Sequence, residues 1–220
     1  MKKIIVIGVI AVAALAGYWT WQNLKGKAER ARTVGAQLVE TTNAVKPAPA
    51  AATGPMRTFK LDDKSLIRWT GYKKVGQHSG WFILFDGTGK MAGNNIEQGS
   101  IELSIETESC ETDDMILTGV MKKDSFFHCE KFPNSTFKSV SIVKASGPDQ
   151  YTVTGDLMLR DITKRISFPA TITVKDGVVK LDADFKVNRR WWNIIWQAAG
   201  DSLLYDDVRI ELKAEAKEAK

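Results

Sequence analysis

Two cysteines, two histidines and no CxxC or HxxxH spacing leave little from which to build a metal centre. A zinc site would have to gather Cys110, Cys129, His78 and His128 from separate places, and no spacing supports that. No serine, cysteine or acid stands at a distance in sequence that identifies it as the partner of a catalytic histidine, so a binding protein is expected and not an enzyme. Clustered positive charge is missing too. The net charge of +5 lies wholly in the N-terminal quarter, where residues 1–55 carry seven Lys or Arg against two Glu and leave twenty-four of each sign for the remainder. A neutral main domain has little attraction for phosphate backbones, and nucleic acid is excluded as a partner. With 44% hydrophobic and 26% charged residues, wholesale disorder and a polytopic membrane protein are excluded as well, and a packed domain is expected.

One long hydrophobic run is present, and it opens the chain. Lys2 and Lys3 precede an apolar stretch from Ile4 to Trp21, which as a helix would cover about 27 Å. Ala14-Leu15-Ala16 also fits a cleavage site, which keeps a removed signal peptide as the alternative. Tyr18, Trp19 and Trp21 extend the run with an interfacial aromatic belt and favour a retained single-pass anchor. Either reading exports the rest of the chain, to the periplasm or the extracytoplasmic face of the membrane. Residues 22–55 then read as a polar, mildly helical stalk and a Pro/Ala linker, and the folded domain as residues 56–220. In an oxidising compartment Cys110 and Cys129 are a possible disulfide, with two buried or free thiols as the alternative.

Within that domain the dominant signal is a period of two. Ile101, Leu103 and Ile105 alternate with Glu102, Ser104 and Glu106, and Leu181, Ala183, Phe185 and Val187 alternate with charged neighbours. The same pattern runs through 151–159, 166–174 and 208–212, and with candidates near 65–73, 80–90 and 136–144 the strands number eight. No long helical repeats intervene to make parallel crossovers, so the strands are expected to run antiparallel. One segment breaks the pattern: Thr112 as cap, Asp113 and Asp114 in the first turn and Lys122 and Lys123 at the end predict a short helix, weakened by Gly119. A single short helix cannot cover eight strands. Closure into a barrel solves this, and an eight-stranded barrel is either filled by side chains or wide enough for one small ligand.

The order of local motifs resembles the YceI-like family. Gly76-Gln-His78-Ser-Gly80-Trp-Phe82 looks like its HxGxF element. Lys123-Asp-Ser-Phe126-Phe127, followed by Glu130-Lys-Phe-Pro133-Asn-Ser-Thr-Phe137, is similar to its paired Phe and TxF-like exit. Val153-Thr-Gly-Asp-Leu157-Met-Leu-Arg160-Asp-Ile-Thr163-Lys164 resembles its TGDLTLRGVTK stretch, and Phe185-Lys-Val-Asn-Arg189 with Trp192 and Trp196 its FxxxR element. Asp161 departs from a usual glycine, Arg165 from a common proline, and the segment between Thr107 and Phe126 looks several residues longer. The resemblance implies a lipocalin-like barrel, exported to the periplasm, that binds an isoprenoid lipid or quinone inside and has no established catalytic residues or further cofactor.

On that reading Trp69, Trp81, Phe82, Phe126, Phe127, Phe137, Phe185 and Trp196 are expected to line the cavity. His78 is a candidate donor to a quinone carbonyl or head group, and Arg189 a candidate partner for a phosphate or polar head group. Each has an ordinary alternative in core packing, a satisfied turn or a strand-end ion pair. Trp191 and Trp192, adjacent on an extended chain, would face opposite sides. The competing function is a structural or protein-binding barrel with a filled core.

Overall fold

Alternation leaves every strand with one dry face, and the chain buries those faces by curling the sheet shut. The computed structural model describes residues 18, 20–39, 54–196 and 201–219. A helix α1 spans 20–32, followed by the two-residue strands β1 (Val34–Gly35) and β2 (Gln37–Leu38). Then come β3 (Met56–Leu61), β4 (Leu66–Lys73), β5 (Gln77–Phe82), β6 (Phe85–Ala92), β7 (Asn95–Glu106), β8 (Cys110–Thr112) and helix α2 (Met115–Met121). The chain ends with β9 (Asn134–Lys144), β10 (Gln150–Leu159), β11 (Ile162–Lys175), β12 (Val178–Asn188) and β13 (Leu204–Glu218).

Register reduces these pieces to eight staves. β3 and β4 both pair antiparallel with β13, Leu61 with Ala216 and Leu66 with Lys213, so they are one long strand interrupted at 62–65. β5 and β6 together pair back along it, and β7 and β8 continue one another across a short 3-10 turn at Thr107–Ser109. Each stave pairs with the next in sequence, and β13 returns to β12 on one edge and to β3 and β4 on the other, which closes the ring. The eight antiparallel strands read from alternation are these staves.

The two ends differ. Gly93–Asn94, residues 145–149 and Asp176–Gly177 turn at one end, which is plugged by Phe59, Met91 and Ala216, with Phe59 fully buried. Asp176 and Gly177 both have positive φ, the geometry of a tight hairpin turn whose twist suits the strands. At the other end, the rim, lie residues 74–76, α2, the segment to Pro133, the turn at Arg160–Asp161, and residues 189–196 and 201–203. Arg160 and Asp161 repeat the positive-φ turn, at 54° and 57°, without any glycine. Arg165, which departs from proline, pairs bidentately at 2.8 Å with Asp156 opposite it on β10. The α2 cap is Asp114, whose side chain accepts from Leu117 N at 2.9 Å. Thr112, expected to cap, instead bonds the Thr118 hydroxyl and the Asp114 carbonyl, because β8 holds it in the sheet.

The segment expected as a free stalk lies on the barrel from 20 to 39. β11 and β12 pair only from Thr171 and Asp182 toward the floor, and above that they part. β1 pairs parallel to β12 and β2 antiparallel to β11, filling the gap, with Ala36 N donating to Lys186 O at 2.7 Å and Val39 N to Arg165 O at 2.9 Å. α1 crosses the outer wall, where Arg30 meets Asp207 at 3.0 Å and Asn23 accepts from Gly76 N at 2.6 Å. The proposed membrane helix Ile4–Trp21 lies outside the described residues except for Tyr18, Thr20 and Trp21, and the Pro/Ala linker Lys46–Pro55 except for Gly54 and Pro55. Among the described residues no helix is long and apolar enough to cross a membrane.

Candidate functional site

Inward-facing positions on all eight staves leave a space down the barrel axis of about 430 Å³, with walls that are almost entirely apolar. That falls within the range of small-molecule sites, roughly 300–1,000 Å³. Its lower walls include Phe59, Met91 and Ala216 of the floor plug. Midway, Phe168 stacks on Phe185 with centroids 4.2 Å apart and leans on Phe137 at 5.7 Å. Phe137 has room because β10 carries Gly155, opposite Ser139, under the ring: a Cβ there would lie 2.3 Å from it. Below the rim, Leu117, Val120 and Met121 of α2 face the cavity, together with Phe126, Phe127, Trp192 and Trp196. Phe82 and Phe127 meet edge to face at 5.5 Å, joining β5 to the segment after α2. Trp69 lies over Gly80, which has no side chain to obstruct the indole.

Nine of the ten residues singled out from the sequence border this space: Trp69, His78, Phe82, Phe126, Phe127, Phe137, Phe185, Arg189 and Trp196. Trp81 does not. It sits opposite Arg68 and Glu111 on the outer face and is 37% exposed, because on an extended strand it must face away from Phe82. Phe126 and Phe127 escape that rule because they lie in a turn. Trp191 and Trp192 lie in the 3-10 turn Arg189–Trp192 with rings 5.8 Å apart, and of the two Trp192 borders the space, buried with its indole N–H donating to Leu157 O. Phe168, Trp192 and Phe59 were not singled out as ligand contacts. The signal for Phe168 was present, since it shares the dry face of its strand with Ile166 and Ile172.

The polar candidates are committed to the protein. His78 Nδ1 lies 2.9 Å from Asp113 and Nε2 2.8 Å from Lys73 Nζ, an arrangement in which Nδ1–H donates to the carboxylate and Nε2 accepts from the ammonium. Arg189 is 5% exposed and its guanidinium donates to Tyr205 O, Ile194 O and the carboxylates of Asp201 and Asp206. It ties the rim segment to β13 and has no arm extended to a ligand. Asp201 in turn accepts from Trp196 N at 3.0 Å, which fixes that tryptophan at the mouth.

Cys110 and Cys129 are both buried in the main core and both are free thiols. Burial pushes the Cys110 thiol up to about 12 and raises Cys129 as well, which works against the reactive thiolate at both. The Trp69 indole N–H faces the Cys110 sulfur, a weak acceptor, without making a well-formed hydrogen bond. Among the described residues no group of three or more His, Cys, Asp or Glu is placed to hold a metal ion.

Comparison with known proteins gives this arrangement its context. A family model described as the YceI-like domain matches residues 59–216. Among curated proteins, a UPF0312 protein of Shewanella denitrificans is 31% identical over 98 residues, covering 44% of this chain and 50% of that protein. Protein YceI of Salmonella arizonae is 30% identical over 120 residues, covering 52% and 61%. The chain thus spans about half to three fifths of the length of these relatives. Among solved structures, BcnA of Burkholderia cenocepacia aligns over 71% of this chain and 99% of its own, with a TM-score of 0.66 and 23% identity. A polyisoprenoid binding domain from Saccharophagus degradans aligns over 73% and 98%, with a TM-score of 0.59 and 13% identity. At those identities the two structures share its fold.

Proposed function

We propose, for a chain that belongs to the YceI-like domain family, that the barrel interior holds an isoprenoid lipid or quinone and that the protein carries or stores it without catalysing a reaction. The observation behind this reading is the long apolar space of about 430 Å³, closed at the floor and bordered at the rim by α2 and the Phe126–Phe127 turn. A core filled by side chains alone would leave no such space, since protein interiors pack as densely as organic crystals. A polyprenyl tail matches its shape and chemistry, and each buried CH₂ contributes about 0.8 kcal/mol before ordering costs. The similarity to the polyisoprenoid binding domain from Saccharophagus degradans supports the same class of ligand. Export and a single-pass tether at residues 4–21, placing the barrel at the extracytoplasmic membrane face, complete the proposal and rest on the sequence of that run.

Native mass spectrometry of the protein from its own membrane, followed by identification of released lipid, tests the reading. A co-purifying isoprenoid species is expected, and its retention is expected to drop in Phe127→Ala, which removes a ring from the cavity wall at the rim. An empty parent protein that also fails to take up added polyprenol or quinone would return the barrel to a structural role.

A further inference from the structure

A second space, about 400 Å³, lies outside the barrel between α1 and the rim, and its chemistry is the opposite of the first. Lys27, Arg30, Lys73, Lys74 and Lys186 border it against one carboxylate, Asp207. Asp207 is taken by Arg30 at 3.0 Å and approached by Lys186 at 4.0 Å, and Lys73 is engaged with His78. Lys27 and Lys74 make no ion pair with any described residue. Five cations around one carboxylate give the cleft a positive potential that favours an anion.

An independent observation points to the same place. Three buried side-chain polar atoms without a hydrogen-bond partner collect under α1: Tyr72 Oη, Arg30 Nε and Gln77 Oε1. Tyr72 is 3% exposed and borders the cleft, and burial raises its pKa, so it stays a hydroxyl able to donate. Buried donors are seldom left unpaired in folded proteins, and two donors and several ammonium groups converging on one space match an oxyanion. Gln77 packs against α1 beside the cleft without lining it, where a Cβ on the buried Gly26 would lie 2.5 Å from its Oε1, and that oxygen, an acceptor, takes no part in holding an anion. Tyr72, Lys73 and Tyr205 border both spaces, so the cleft adjoins the apolar cavity.

We infer that the cleft between α1 and the barrel rim binds a phosphate or diphosphate oxyanion, held by Lys27, Lys74 and the Tyr72 hydroxyl. α1 lies outside the family-matched residues 59–216, whereas Tyr72, Lys74 and Lys186 on the barrel side of the cleft lie within them. The oxyanion is either free or the head group of a prenyl phosphate whose tail enters the barrel, and only the second source rests on the function proposed above.

The test uses the full chain in neutral detergent with three probes: inorganic pyrophosphate, geranylgeranyl phosphate and geranylgeraniol, titrated by calorimetry at low and high salt. Pyrophosphate is expected to bind, more weakly as salt rises, and to lose at least tenfold in affinity in the double variant Lys27→Gln/Lys74→Gln. Those side chains are exposed and unpaired, so folding is expected to be unaffected, with circular dichroism as the check. Tyr72→Phe is expected to cost several-fold. Geranylgeranyl phosphate binding more tightly than both other probes, with that advantage lost in the double variant, identifies a lipid head group. Equal affinity for the two phosphates identifies a free oxyanion. Geranylgeraniol binding without any gain from phosphate overturns the cleft and leaves the barrel reading standing, whereas pyrophosphate binding without geranylgeraniol does the reverse. Unchanged pyrophosphate affinity in the double variant also overturns the inference.

Discussion

Adding one methyl group at Gly80 tests whether the cavity wall is as tightly built as it looks. A Cβ on Gly80 would lie 2.4 and 2.5 Å from the Cζ2 and Cε2 atoms of Trp69 and 2.6 Å from the backbone oxygen of Glu111. All three are far inside van der Waals contact, so something must shift by more than half an ångström. The Glu111 oxygen belongs to β8, paired with β5 through Gly80 with Thr112 and Trp81 with Glu111, and it cannot retreat without loosening that ladder. The indole can retreat only into the cavity it borders. Overpacking of this kind costs about 1–3 kcal/mol, and about 2–4 °C of Tm accompanies each kcal/mol in a domain of this size. Gly80→Ala is therefore expected to melt about 2–12 °C lower and to retain less isoprenoid lipid, because the displaced ring occupies ligand space. Gly119→Ala is the matched control: nothing lies within 4 Å of its Cβ position, and in the interior of α2 alanine is expected to stabilise by about 0.5–1 kcal/mol. Thermal unfolding with lipid quantified by mass spectrometry reads both effects. A Gly80→Ala protein with the parent's Tm and lipid content would refute the argument.

Three further outcomes follow from the same geometry. Thiol labelling is expected to find Cys110 and Cys129 unreactive in the native protein and both labelled after denaturation; no label in the denatured, unreduced protein would reveal a disulfide between them. A chain beginning at Met56 lacks the segment that donates to Lys186 O and Arg165 O, so amide exchange at 162–170 and 183–188 is expected to accelerate, and unchanged exchange would show that β11 and β12 close without it. Burial alone would raise the Asp201 carboxyl, but hydrogen bonds from Arg189 and Trp196 N together hold it below the ordinary 3.8. Its contribution to the rim is thus complete above pH 3.8 and lost as pH falls through the lower folded value. Tryptophan fluorescence from Trp192 and Trp196 is expected to change there before the β-sheet signal does; simultaneous loss would place the weak point elsewhere.

Local order in the chain was enough to determine the barrel. Inside and outside positions follow from a period of two, which is a property of any extended backbone, so the dry faces at 101–105, 151–159, 166–174, 181–187 and 208–212 were legible residue by residue. The same rule places Trp81 outside once Phe82 is placed inside, so that correction was also within reach of the sequence. The rule fails for Phe126 with Phe127, which lie in a turn and both border the cavity, whereas of Trp191 and Trp192 it is Trp192 that borders it.

Other features depend on residues far apart in the chain, and only the tertiary structure decided them. Whether the interior is filled or hollow depends on the difference between the volume the closed ring encloses and the volume its inward side chains occupy, and alternation reports neither. Arg189 and His78 carry the right chemistry for a ligand, yet Asp201, Asp206 and Asp113 reach them first from other segments of the fold, and Lys73 joins His78 across the β4–β5 hairpin. The stretch at 34–38 is too short to show a strand pattern of its own and becomes one because β11 and β12 part and leave backbone groups without partners. The cationic cleft under α1 combines lysines and an arginine from positions 27 to 186, and no run of sequence brings them together.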